Sequence, residues 1–188
     1  MRTSPLRIFA LAIFAACALP QAGSAQPTLP MPVSELSIKA AYLFKFAGYV
    51  EWPPDSQSDA LEPFVIGVLA SDPFADELAR ITAGRTVNDR TISVRRIKAD
   101  EPLGDVDILF VGEHDRKRLD QLLVPARQLP ILTVTETVGA IPDGSIINFT
   151  QDKDRVRFEI SLYFAEQSML KLNSRLLAVA DSVHRGPE

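Results

Sequence analysis

Cysteine and histidine are nearly absent from this sequence. The only cysteine is Cys17, and the only histidines are His114 and His184. Cys17 lies in an N-terminal stretch that is predicted to be removed, so we expect the folded chain to have no disulfide, no thiol nucleophile and no redox switch. Neither histidine has a cysteine, histidine or carboxylate at the spacing of metal ligands, and we interpret both as solvated side chains.

The short motifs of common enzyme classes are also missing. The chain contains no G-x-S-x-G, no P-loop and no G-x-G-x-x-G. Paired acids occur at Asp105 with Asp107 and at Asp152 with Asp154. These positions are predicted turns, where aspartate is favoured for its local hydrogen bonds, so a general acid and base pair is disfavoured. The residues predict no catalytic group and no cofactor.

An excess of positive charge is lacking as well. The chain has 20 basic and 24 acidic residues and a formal net charge of −4. The N-terminal stretch holds Arg2 and Arg7 but no acid, so its removal makes the remaining chain more negative. We therefore expect no nucleic acid or anionic membrane surface as the main partner, because both attract clustered Lys and Arg.

The first 25 residues have the composition of an export signal. MRTSPLR supplies two positive charges, IFALAIFAACAL is apolar, and AGSA offers small residues for cleavage before Gln26. The apolar run is shorter than the roughly 20 residues that span a bilayer, which favours a cleaved signal over a retained anchor. A lipoprotein would need Cys17 as its lipidated residue, and the residues before it suit that poorly. Residues 26–33, QPTLPMPV, then predict an extended, mobile lead-in.

Alternating strand and helix patterns predict a single α/β domain over residues 34–188. We expect a mainly parallel central sheet of about six strands, a C-terminal β-hairpin and helices on both faces. The predicted strands are residues 64–70, 90–97, 107–112, 131–136, 145–152 and 155–162, the last two joined by Lys153 and Asp154 as the hairpin turn. The predicted helices are residues 34–51 capped by Ser34, 72–84 capped by Asp72 and stopped at Gly84, 114–129, 163–170, and a last helix capped by Ser174 with Leu176, Leu177 and Val183 on its apolar side.

Aromatic residues are scarce overall, at 7% of the chain, yet five of them fall in AAYLFKFAGYVEWP, residues 40–53. The apolar positions of this predicted helix wrap most of the way round it, which indicates cover on several sides. We predict that the helix is mainly core and that Tyr49, Trp52 and Phe46 extend to an exposed apolar rim. Such a rim would bind a partner.

Several of these segments together resemble the YfiR-like family of bacterial periplasmic proteins. They are KAAYLFKFAGYVEWP, VIGVLASDPF, ILTVTE, IINF, VRFEISL and LNSRLLAVA, and the resemblance runs from Ser34 to Val183. It implies a periplasmic, non-enzymatic repressor that binds the periplasmic domain of a membrane-bound diguanylate cyclase and lowers cyclic-di-GMP signalling. It also implies an outer-membrane OmpA-like lipoprotein that sequesters the repressor, and a homodimer.

The resemblance further indicates candidate partner-binding residues. Phe149 in INF and Glu159 in FEI lie in the C-terminal region that it associates with partner contact, whereas Phe46 and Trp52 lie in the characteristic N-terminal helix. Glu159 falls on the polar side of its predicted strand, where it is free to meet a partner. Some members carry cysteines in the folded domain, so redox control is not carried over to this chain.

Within the regulator class, an adaptor for another membrane sensor stays open beside the cyclase repressor, and two other classes of function stay open as well. A small-ligand receptor would use the crevice at the carboxyl ends of the strands, where open α/β sheets often bind ligands, although an Asp72 cap would disfavour an anion there. An enzyme would need a catalytic group such as His114, and no motif supports one.

Overall fold

The computed structural model describes residues 34–54, 62–98, 100–112, 119–153 and 155–186. The predicted signal, the lead-in, Cys17, His114 and Asp154 lie outside these ranges. The helices are α1 Glu35–Ala47, α2 Asp72–Thr82, α3 Leu119–Ala126, α4 Leu162–Gln167 and α5 Ser174–Leu177. The strands are β1 Val50–Glu51, β2 Phe64–Leu69, β3 Thr86–Val87, β4 Arg90–Arg96, β5 Ile108–Val111, β6 Leu132–Thr135, β7 Ile147–Asp152, β8 Arg155–Ser161, β9 Lys171–Leu172 and β10 Ser182–His184.

A mostly parallel sheet forms the centre of the domain. Its strand order in the described residues is β10-β8-β7-β6-β5-β2-β4-β3. The strands from β4 to β7 in this order are parallel, β8 is antiparallel to β7, and β10 is parallel to β8. The mixed α/β prediction with a C-terminal hairpin is confirmed. All six predicted strands are present, whereas the short β3 and β10 at the sheet edges were not predicted.

Helices cover both faces of this sheet, as predicted. In β2, Phe64, Ile66 and Val68 join one buried cluster with α1 and α2, whereas Val65 and Leu69 join a second cluster with α3. The run is buried at every position because successive side chains point to opposite, equally covered faces. No helix in the described part of the chain is both long and apolar enough to cross a bilayer.

The first helix is shorter than predicted. Ser34 caps it as expected, since its side chain accepts a hydrogen bond from the Ser37 amide at 3.2 Å. The helix ends at Ala47 rather than near Glu51, because residues 50–51 form β1 and pair with β9 near the C-terminus. The predicted end was wrong because this strand pairing is a long-range contact.

Two predicted helix caps are also wrong. Ser71, not Asp72, occupies the N-cap of α2, and the Asp72 carboxylate is 81% exposed and pairs with Arg96 at 3.0 Å. Asn173 rather than Ser174 caps α5, because the Asn173 side chain accepts a hydrogen bond from the Arg175 backbone amide. Val183 does not lie on α5, because it belongs to β10.

The paired aspartates at residues 105 and 107 have different surroundings, contrary to their common interpretation as turn residues. Asp105 forms a surface ion pair with Arg95. Asp107 is 7% exposed and forms a bidentate ion pair with Arg90, which is 4% exposed. The second pair is therefore part of the core.

Glu77 joins α1 to α2. Its carboxylate accepts hydrogen bonds from the Ser37 hydroxyl at 2.7 Å and from two nitrogens of Arg80, each at 2.7 Å. Hydrogen bonds from Arg80 and then Ser37 lower the pKa of Glu77 from 4.5 to about 2. Because the folded-state pKa is the lower one, the stabilisation is present above pH 4.5 and is lost as the pH falls towards 2.

We expect the stability difference between wild type and Glu77→Gln to shrink as the pH falls from 4.5 to about 2. The reason is that only the wild-type carboxylate must take up a proton over this range. Urea unfolding of both proteins at several pH values measures the difference. A difference that stays constant across the range would contradict the assignment.

Candidate functional site

The carboxyl ends of the parallel strands border an open crevice. The connection after β2 leads to β4 on one side, whereas the connection after β5 leads to β6 on the other, and open α/β sheets bind ligands at such a switch point. The crevice has two compartments of about 240 and 350 Å³. We call it the carboxyl-end crevice; its lining residues are Glu35, Leu36, Lys39, Ala70, Ser71, Phe74, Gly112, Glu136, Val138, Gly139, Asn148, Phe149, Thr150, Gln151 and Glu159.

Lys39 lies where the two compartments meet. Its ammonium contacts Glu136 Oε2 at 2.7 Å and Glu35 Oε1 at 2.6 Å, the second pair being one turn apart on α1. Burial alone would lower the pKa of Lys39, but the hydrogen bonds to Glu136 and Glu35 outweigh burial and raise it above 10.5. The crevice therefore contains a lysine that is charged at neutral pH and held between two carboxylates.

A row of polar side chains crosses four adjacent strands beside the second compartment. Thr135 of β6 lies 2.7 Å from Asn148 Oδ1 of β7. The Asn148 amide donates to Glu159 Oε1 of β8 at 2.9 Å, and Glu159 Oε2 lies 3.2 Å from His184 Nε2 of β10. Each carboxylate oxygen of Glu159 therefore has its own partner, and the row ties the edge strand β10 to the centre of the sheet.

The row does not have the geometry of a catalytic triad. The Ser182 hydroxyl and Glu159 both lie 3.2 Å from the same nitrogen of His184, Nε2. In a triad, the nucleophile and the carboxylate occupy different nitrogens of the imidazole, so that one nitrogen accepts a proton while the other is held. Nor does any group of three or more His, Cys, Asp or Glu side chains in the described ranges form a metal-binding cluster.

The structure brings two of the predicted partner-binding residues into this crevice. Phe149 and Glu159 both line the larger compartment. Phe149 is only 4% exposed. Glu159 is hydrogen-bonded to Asn148 and His184, but its side chain stays 21% exposed, so its role in partner contact stays a prediction. The interpretation of His184 as a solvated histidine at the end of the chain is wrong, because its ring contacts Glu159.

The other three predicted residues lie away from the crevice. Phe46 is 1% exposed and Trp52 is 8% exposed, with the Trp52 ring packed edge-on against Phe64 at 5.3 Å between centroids. Of the predicted rim, only Tyr49 reaches solvent, at 38% exposure. The aromatic rim is therefore wrong for Phe46 and Trp52, because Phe149 and Phe158 of the β7–β8 hairpin cover Phe46 and Phe64 of β2 packs against Trp52. Their surroundings are the core.

Lys39, Glu136 and Asn148 were not singled out from the sequence, and His184 was considered but interpreted as solvated. One contact could have been predicted from the sequence. A two-residue hairpin turn at residues 153–154 places Asn148 opposite Glu159, which is the observed register. The contact of His184 could not be predicted in this way, because a strand of three residues that pairs in parallel with β8 has no local sequence signature.

Comparison with known proteins gives a family match and matches to solved structures. A family model described as YfiR/HmsC-like matches residues 36–181. The crystal structure of a conserved domain protein from Vibrio cholerae O1 biovar El Tor is similar, with a TM-score of 0.53 and 12% sequence identity over 80% of this chain. The match spans 60% of that longer chain, and at such low identity it shows the fold alone. No curated protein matches the sequence significantly.

Proposed function

The chain belongs to the YfiR/HmsC-like family, and we propose that it is an exported, non-enzymatic regulator of a membrane-bound diguanylate cyclase. It binds the periplasmic domain of the cyclase and holds down cyclic-di-GMP synthesis. An OmpA-like outer-membrane lipoprotein sequesters it and so releases the cyclase, and the regulator acts as a homodimer. The family match over residues 36–181 is the observation that carries this proposal.

Two features of the molecule support a binding role. The polar row that contains Glu159 and His184 lacks triad geometry, and its side chains are held by one another across the sheet. The N-terminal stretch has the composition of an export signal. A rigid sheet that presents fixed polar groups is suited to recognising a partner, because little side-chain entropy is lost on binding.

The predicted partner-binding residues take different parts in this proposal. Glu159 and Tyr49 contact the partner, since both reach the surface to some extent. Phe46, Trp52 and Phe149 are buried, and they contribute by holding in place the elements on which the contact residues lie. Replacement of the buried aromatics is therefore expected to change binding only through the fold.

Expression of the protein together with the diguanylate cyclase from the same genome tests the proposal. We expect residues 26–188 behind a cleavable export signal to lower cellular cyclic-di-GMP, and the same residues without a signal to leave it unchanged, because the proposed contact is periplasmic. A catalytically dead cyclase provides the baseline. Equal cyclic-di-GMP with and without export, or no change in either case, would overturn the proposal.

The carboxyl-end crevice favours one alternative, a receptor for a small periplasmic ligand. Its larger compartment, about 350 Å³, lies at the lower end of the usual size of ligand sites and combines charged groups with the Phe149 ring. A ligand that binds there stabilises the fold by RT ln(1 + L/Kd), where L is the ligand concentration, so the melting temperature rises with the logarithm of L once L exceeds Kd. A screen of small metabolites by thermal shift, repeated with Lys39→Met, separates this alternative from the cyclase regulator.

A further inference from the structure

An open groove lies between the C-terminal end of α1 and the β3–β4 hairpin, away from the carboxyl-end crevice. Its volume is about 420 Å³, and its seven lining residues are Phe44, Lys45, Gly48, Tyr49, Thr86, Val87 and Asn88. None of them is acidic, although acids outnumber bases in the whole chain by 24 to 20. We call this the Tyr49 groove.

Arg85 lies at the edge of this groove in a conformation suited to binding a carboxylate. The central carbon of its guanidinium lies over the Phe44 ring, 4.7 Å from the centroid. Within the described ranges this guanidinium makes no hydrogen bond and no ion pair, whereas Arg95 and Arg96 on β4 are both paired with aspartates. A guanidinium held over an aromatic face keeps its N–H donors in its own plane, pointing away from its central carbon, where two of them can bind both oxygens of a carboxylate.

Lys45 adds a second positive charge on the same side. It is exposed in the last turn of α1, and in the described part of the chain it has no ion-pair partner. Two neighbouring cations beside an apolar floor attract an acidic group and repel a basic one. The floor is supplied by Phe44 and by Val87, which is 7% exposed.

Tyr49 is presented on a fixed backbone. Its carbonyl accepts a hydrogen bond from the Asn173 amide at 2.9 Å, and the next residues pair with β9, yet its side chain is 38% exposed. On the other wall, Asn88 has φ of 50°, and Asp89, the next residue and not part of the lining, has φ of 63°; together they form the backbone of a tight two-residue hairpin turn. An exposed aromatic on rigid elements loses little entropy when a partner covers it.

We propose that the Tyr49 groove binds an acidic segment of a partner protein. An Asp or Glu carboxylate of that segment binds Arg85 and Lys45, and a neighbouring apolar or aromatic side chain packs against Tyr49 and Val87. The identification of the partner as the cyclase rests on the proposed function above, but the recognition chemistry does not. The groove is thus a second contact surface, separate from Glu159.

The test uses a random peptide library displayed on phage and selected against the folded protein. We expect the selected peptides to pair an acidic residue with an aromatic or large aliphatic one. A selected peptide should bind Arg85→Glu at least about tenfold more weakly, as the loss of a charged hydrogen bond predicts. It should bind Tyr49→Ala about fivefold more weakly, as the loss of an interface aromatic predicts.

Lys98→Glu provides the matched control, because it makes the same change of charge on an exposed residue just beyond β4. The Arg85 backbone lies beside Ile92, six residues earlier, which places Lys98 roughly 20 Å away. The affinity of this variant for the peptide should equal that of wild type, and circular dichroism should show all variants folded. Selected peptides without acids, or equal binding by wild type and Arg85→Glu, would overturn the proposal. Because no cyclase takes part, this test can fail while the proposed regulator function holds. Likewise, the regulator function can fail while the groove still binds acidic peptides.

Discussion

Replacing Asp107 by asparagine is expected to destabilise the fold by about 3–5 kcal/mol, which would make it among the most damaging single changes in this protein. Asparagine keeps the shape of the side chain but removes its charge. The Arg90 guanidinium would then stay buried without a counter-ion, and that uncompensated charge is the source of the cost.

The geometry around Asp107 explains why the environment cannot adapt. Arg90 contacts the two carboxylate oxygens at 2.8 and 3.0 Å, and the Val65 amide donates to one of them at 2.7 Å. Arg90 also donates to the carbonyls of Glu62 and Pro63. The pair therefore ties the starts of β2, β4 and β5 together, where the side chains of Arg90 and Asp107 are only 5% and 9% exposed.

Asp105→Asn is the matched control for this prediction. Asp105 is also paired with an arginine, but its side chain is 61% exposed, so its loss should cost less than about 1 kcal/mol. Urea unfolding gives both values, and a double-mutant cycle with Arg90→Met isolates the interaction within the buried pair. Equal effects of Asp105→Asn and Asp107→Asn, or no coupling in the cycle, would contradict the structural assignment.

These two aspartates show where prediction from sequence stops. Both follow a Pro-Leu-Gly segment and both suit a turn, so local pattern gives them the same interpretation. Asp107 differs only because the fold brings Arg90, 17 residues earlier in the chain, to within hydrogen-bonding distance. Burial of a charge is decided by the tertiary arrangement, which residue spacing does not encode.

The fold itself was predictable where the signal is local and long. The buried strand at residues 64–70 and the alternation in RVRFEISL are periodic over several residues, and both strands are observed. β1, β9 and β10 have only two or three residues each and exist because distant segments pair, as Val50 does with Leu172. That pairing is why the end of α1 was placed too late.

The candidate site follows the same division. The hairpin turn fixes the contact between Asn148 and Glu159, and the spacing of Glu35 and Lys39 on α1 fixes another. The ends of the polar row, Thr135 and His184, come from strands that join this sheet from elsewhere in the chain. Local sequence pattern therefore predicts the contact in the middle of the polar row, between Asn148 and Glu159, but not the contacts of Thr135 and His184 at its ends.

The aromatic helix is divided between core and surface at a single turn. The Phe46 ring stacks against Tyr42 and Phe149, each at 5.8 Å, and meets Phe158 edge-on at 5.1 Å. These contacts fasten α1 to the β7–β8 hairpin. Tyr49, three residues later, lies beyond the last turn of α1 and faces the groove.

Phe46→Ala is therefore expected to lower the free energy of unfolding by about 3–5 kcal/mol, because it leaves a cavity among three rings. Tyr49→Ala is expected to change it by less than about 1 kcal/mol, because the side chain is largely at the surface. Urea unfolding measures both. The co-expression assay uses Phe46→Leu in place of Phe46→Ala, because this milder variant keeps the fold. Repression of cyclic-di-GMP synthesis should be retained in Phe46→Leu and reduced in Tyr49→Ala, which is the opposite order to the stability effects. If a folded Phe46→Leu lost repression while Tyr49→Ala kept it, the buried aromatics rather than the groove would carry the partner contact.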